Sequence, residues 1–130
     1  MLQRAQARSR ATQQDMIRIF EQSRVNLDLV ASSQGSEPQI KGRTFEVPAC
    51  GGFLLDGRID GIEEYFEVDR EIVVYEDVDD MIDKARFYLE HDAARKAVAE
   101  AGYRRTHAEH TYRERFASIF RVMGLKPRTS

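Results

Sequence analysis

The stretch Lys41-Gly42-Arg43-Thr44-Phe45-Glu46-Val47-Pro48-Ala49-Cys50-Gly51-Gly52 constrains the fold more than any other, because it joins two short apolar runs and reads as strand, loop, helix and strand in succession. Before it, Val25-Asn26-Leu27-Asp28-Leu29-Val30 alternates apolar and polar residues, the period of a strand, and gives way to the small polar loop Ala31-Ser32-Ser33-Gln34-Gly35-Ser36. Pro48 makes the helix inside the stretch short or bent, since proline removes a backbone donor and crowds the preceding turn. Cys50-Gly51-Gly52 ends that helix, and Phe53-Leu54-Leu55 follows as a short apolar strand. Asp56-Gly57-Arg58-Ile59-Asp60-Gly61 then reads as a tight glycine-bearing loop, Ile62 to Phe66 as helix-like, and Ile72-Val73-Val74-Tyr75 as a third strand.

Strands that alternate with helices predict an α/β fold with parallel pairing, right-handed crossovers and helices on both faces of the sheet. Three strands make a short sheet, the size of one half of a doubly wound, Rossmann-like domain. Its unpaired edge predicts self-association or a covering segment from elsewhere. Loops at the carboxyl ends of such strands are where open α/β sheets bind ligands.

The flanks are helical. Residues from about Ala5 to Glu21 form an expected helix with Met16, Ile17 and Phe20 at helical spacing, behind a flexible or helical lead over 1–15. Arg4, Arg8 and Arg10 read as a solvated terminus rather than phosphate contacts. Asp77 is placed to cap a helix whose apolar positions Met81, Ile82, Ala85, Tyr88 and Leu89 share a face, and Asp92 to cap another running through Ala93, Ala97, Val98 and Ala101 toward Gly102. Thr111-Tyr112-Arg113-Glu114 has capping-box spacing. The last helix presents Tyr112, Phe116, Ile119, Phe120 and Met123, and Gly124 with Pro127 stops it. The aromatic residues on these helix faces are expected in the core.

A length of 130 residues fits a single domain. With 42% hydrophobic and 32% charged residues and a net charge of -2, the chain has a soluble composition and no electrostatic bias toward nucleic acid or an anionic membrane. The polar N-terminal residues contain no spanning segment. One cysteine, Cys50, cannot form an internal disulfide, which suits a reducing, cytoplasmic setting. Cys50 reads as a small buried residue, and His91, His107 and His110 as structural, because no cysteine stands at metal-ligand spacing from them.

Arg43 and Glu46, three apart, project to one side near the start of the central helix, where free amides and the helix dipole favour an anion. Lys41 adds charge there, and Gly42 admits close approach. A diphosphate is the natural ligand, with the Glu46 carboxylate accepting from a sugar diol. The plainer reading of the same spacing is an Arg43–Glu46 surface pair, worth only about a few tenths of a kcal/mol. Gly57 and Gly61 read as turn residues. Asp56 and Asp60 read as ordinary loop acids, and Glu63, Glu64, Glu76, Asp77, Asp79 and Asp80 as acids at helix starts.

The same central stretch through Leu55, followed by Gly61-Ile62-Glu63-Glu64-Tyr65-Phe66 and then by His110-Thr111-Tyr112 with Arg115, resembles the C-terminal part of the CgeB-like group 1 glycosyltransferases. The resemblance runs from about Met16 to Leu125 and rests on several ordered motifs. It implies the GT-B architecture, in which two Rossmann-like domains face each other and the C-terminal one holds a nucleotide diphosphate sugar as donor substrate, with no separate cofactor. Residues 1–130 would then be one partial domain, the second half of the donor-binding domain, with an N-terminal partner domain outside this chain and weak or absent catalysis alone. The resemblance implies that Glu46 binds the nucleotide ribose, that Lys41, Gly42 and Arg43 face the diphosphate and sugar, and that Gly61 joins the substrate-binding set. Many relatives carry a second glutamate eight positions before the ribose-binding one; here Pro38 stands there, with Glu37 beside it. A non-catalytic nucleotide-binding or protein-interaction module is the alternative.

Overall fold

The computed structural model describes residues 11–30 and 37–126. Its centre is a parallel sheet in the order β1-β2-β3, formed by β1 (Asn26–Asp28), β2 (Leu54–Gly57) and β3 (Val73–Tyr75). The described helices are α1 (Gln13–Gln22), α2 (Arg43–Ala49), α3 (Val78–Glu90), α4 (Asp92–Glu109) and α5 (Tyr112–Val122), with a 3-10 turn at Ile62–Glu64. This is the expected α/β, Rossmann-like half-domain with C-terminal helices. The expected loop over 31–36, the first part of the N-terminal helix and Pro127 lie outside the described residues.

Alternation along β2 explains the layers. Leu54 points into a core with Phe20, Val47, Ile62, Phe66, Ile72 and Val74, which α1, α2 and the 3-10 segment cover. Leu55 points the other way, into a core with Phe53, Val73, Tyr75 and Val98 that α3 and α4 cover. Helices therefore lie on both faces. Asn26 ties the first layer to the sheet, its amide donating to the carbonyls of Phe20 at 3.0 Å and Phe53 at 3.1 Å.

Four expectations need correction. Asp56 and Gly57 belong to β2 rather than to a loop, in register with Asp28 and with Val74 and Tyr75. Gly57 is there because the Tyr75 hydroxyl crosses β2 to donate to the Asp28 carbonyl at 2.8 Å, and a Cβ on Gly57 would lie 3.1 Å from that hydroxyl and 2.6 Å from Val30. Asp92 is not the cap of α4: His91 occupies that position, and the Asp92 carboxylate instead binds Arg95 at 2.8 Å. Gly102 does not end α4, which runs seven residues further to Glu109 and uses Gly102 to cross Glu71 and Pro48 closely.

The fourth correction concerns α5, whose aromatic stripe is not core. None of its residues is buried, and Phe116, Ile119 and Phe120 are each about half exposed. Periodicity identifies an apolar face but not what covers it. On α3, likewise, Met81, Ala85 and Tyr88 pack inward while Ile82 and Leu89 stay exposed.

The caps behave as their residue types require. Asp77 accepts from the Asp80 amide at 2.8 Å and Thr111 from the Glu114 amide at 3.3 Å. Because α5 buries nothing, its helicity rests on local interactions. Thr111→Ala is expected to destabilise α5 by about 1 kcal/mol, speeding amide hydrogen exchange within 112–122 while the global unfolding midpoint stays put. Unchanged exchange there would show that the cap is idle.

Candidate functional site

The helix α2 is short because Gly42 starts it and Pro48 stands near its end. The Glu46 carboxylate folds back over Gly42, so that a Cβ there would lie 3.3 Å from Glu46 Oε1. Beside this helix opens a cleft of about 380 Å³. Gly42 at the start of α2 and Phe45, Glu46 and Ala49 within it form one wall; Thr106 and His107 of α4, His110 and Thr111 of the α4–α5 elbow, and Tyr112 and Arg115 of α5 form the other.

The second wall is braced in detail. His107 Nε2 donates to the Ala49 carbonyl at 2.9 Å, and His110 Nε2 donates to the Tyr65 carbonyl at 2.6 Å. The His110 ring packs against Phe45, Tyr65 and Phe66, with ring centroids 5.3, 5.9 and 5.1 Å away. With Nε2 donating, Nδ1 is left to accept, and it takes a hydrogen bond from an Arg115 nitrogen at 3.2 Å. A side chain at the start of a helix leans toward the N-terminus, so Arg115 reaches back over the elbow. Its guanidinium lies 5.4 Å from the Phe45 centroid and 5.1 Å from that of Tyr65.

The structure separates the residues expected at the site. Gly42 and Glu46 line the cleft. The Lys41 ammonium donates to the Leu29 carbonyl at the end of β1. Arg43 does not pair with Glu46; its guanidinium lies over the Phe20 ring at 5.7 Å, on the side of α2 toward α1. Gly61 holds a left-handed conformation, φ 84°, that lets the chain turn into the 3-10 segment. Glu37 and Pro38 are exposed. His107, His110, Thr111 and Arg115, remote in sequence from α2, are the residues that spacing near Glu46 could not bring in; the ordered motif His110-Thr111-Tyr112 with Arg115 pointed to the last three, and nothing pointed to His107.

A second polar group lies inside the fold. Asp56 is fully buried, and its Oδ2 accepts from the Thr44 hydroxyl at 2.9 Å. Oδ1 has no hydrogen-bond partner of good geometry. Burial pushes the Asp56 carboxyl up to about 6, with its register neighbour Asp28 adding to the rise, while the Thr44 hydroxyl, the Gly57 amide and Lys41 oppose it. The Cys50 thiol, half-buried at the end of α2, is likewise raised by burial and then by Glu46 and Glu21. Among the described residues no three His, Cys, Asp or Glu side chains group as a metal site, and no helix is long and apolar enough to cross a membrane.

The fold and the cleft define an α/β, Rossmann-like unit with a pocket beside the helix that follows its first strand. Comparison with known families matches residues 3–121 to a family described as glycosyl transferase-like, and the chain belongs to that family. No curated protein and no solved structure matches the chain.

Proposed function

We propose that the chain is the donor-binding part of a glycosyltransferase of the CgeB-like, GT-B kind, holding a nucleotide diphosphate sugar in the cleft beside α2. The supporting observation is that Gly42 and Glu46 share one cleft with His110, Thr111 and Arg115, which lie more than 60 residues away in the chain. Glu46 accepts from the ribose hydroxyls, and Gly42 lets the ligand approach the backbone. Lys41 and Arg43 flank the start of α2 and contribute positive potential to the diphosphate. Positive charge at that end stabilises the departing nucleotide diphosphate during sugar transfer. Gly61 shapes the neighbouring turn on the sugar side.

In this reading residues 1–130 correspond to the second half of a donor domain. Leu27 in β1 and Leu29 just beyond it are exposed, β1 pairs only with β2 among the described residues, and the apolar stripe of α5 is also exposed. Such surfaces suit a unit that packs against more protein.

Titration of the full chain with uridine and guanosine diphosphates tests the reading. One of them should bind, and Glu46→Ala should weaken it by about tenfold or more, the loss of charge-assisted hydrogen bonds worth roughly 1.5 kcal/mol or above. Absence of binding by the wild type, or equal binding by the variant, would overturn it.

A further inference from the structure

We infer that Arg115 is the residue that grips the phosphate groups of the ligand in this cleft, opposite in chemistry to Glu46. The inference deepens the donor-site reading and rests on it for the identity of the ligand as a nucleoside diphosphate.

Five arginines are committed to carboxylates: Arg58 to Glu63 and Glu76, Arg70 to Glu67, Arg95 to Asp92, Arg104 to Glu100 and Arg105 to Glu109. Arg115 lines the cleft and has no carboxylate partner among the described residues. Glu46, on the opposite wall, has no cationic partner among them either. A pocket holding one unpaired acid and one unpaired base that do not meet is complementary to a ligand carrying hydroxyls at one end and an anion at the other.

Arg115 is also held in place before any ligand arrives. Its guanidinium lies over Phe45 and Tyr65, and one of its nitrogens is bound to His110 Nδ1, itself fixed by the Tyr65 carbonyl. A guanidinium has five N–H donors in a planar fork, so the bond to His110 leaves several for a phosphate. Holding the fork still removes part of the rotamer entropy that a long side chain otherwise loses on binding. Lys41 and Arg43 are less suited to direct contact, since their head groups are turned to the Leu29 carbonyl and the Phe20 ring.

The competing role is a purely mechanical one, in which Arg115 only fastens α5 to Phe45 and Tyr65. Inorganic pyrophosphate, uridine and uridine diphosphate, titrated into the wild type, Arg115→Gln, Arg115→Lys and Glu46→Ala, separate the two. Arg115→Gln should weaken pyrophosphate and uridine diphosphate by about tenfold or more and leave uridine unchanged, and Arg115→Lys, which keeps the charge but loses the fork, should fall between. Glu46→Ala should weaken the nucleosides and spare pyrophosphate.

Pyrophosphate that fails to bind the wild type, or binds Arg115→Gln equally well, overturns the inference. So does an equal loss of uridine in Arg115→Gln, which marks a mechanical role. Pyrophosphate binding that depends on Arg115 while no nucleoside diphosphate binds would sustain the inference and sink the donor-site reading. Glu46 and Arg115 are both exposed, so the variants leave both cores intact.

Discussion

Replacing Gly102 by alanine is expected to destabilise the protein by about 3 kcal/mol, although the same change on an exposed helix would stabilise it by about 1 kcal/mol through helix propensity. The sign reverses because of where α4 crosses the rest of the fold. A Cβ on Gly102 would stand 2.3 Å from the Glu71 carbonyl oxygen and 3.4 Å from Pro48 Cβ. Real Cβ atoms do not approach backbone oxygen that closely, so the helix must move away from the segment leading into β3. That displacement loosens the contact of α4 with α2 and with it the second wall of the cleft. Chemical denaturation reads the effect as a lower midpoint at unchanged slope. A variant as stable as the wild type would mean that α4 does not cross at Gly102 in solution.

Asp56→Asn is expected to stabilise the protein at neutral pH and to flatten its dependence on pH. The Asp56 carboxyl is raised from 3.8 to about 6 in the folded chain, chiefly by burial. A group with a raised folded value contributes stability that is complete below its unfolded value, near pH 3.8, and is lost as pH rises through about 6. Once the carboxyl is fully ionised, the loss is on the order of 3 kcal/mol. Asparagine keeps an oxygen to accept from the Thr44 hydroxyl and carries no charge to desolvate. The half-buried Asp80 and the exposed Asp92, held low by Lys84 and Arg95, slope the other way but are common to both proteins. The difference between wild type and Asp56→Asn, measured by denaturation from pH 4 to 7.5, therefore isolates Asp56. A difference that does not change with pH would show that Asp56 stays ionised throughout.

Much of the frame was legible in the chain. Short apolar runs alternating with helical periods predict a parallel α/β sheet, and β1, β2 and β3 fall within or beside the expected runs. Asp77 and Thr111 cap the helices they precede, because a cap needs only a hydroxyl or carboxylate a few residues from free amides. Asp56 was not legible as a buried strand residue: an aspartate followed by glycine has the local chemistry of a turn, and only pairing with Asp28 and Val74 keeps it in β2. The Arg43–Glu46 spacing was equally ambiguous, and the nearby Phe20 ring took the arginine.

What the sequence by itself determined is therefore the class of fold, the short helix that begins at Gly42, and the presence of Glu46 near its start, since periodicity, caps and proline act over a few neighbouring residues. The tertiary structure decided the rest: that α4 passes close enough to Pro48 to need Gly102, that α5 leaves its aromatic face in solvent, and that Arg115 returns to the wall opposite Glu46. These depend on how elements far apart in the chain share the two faces of one sheet, and no local pattern specifies that.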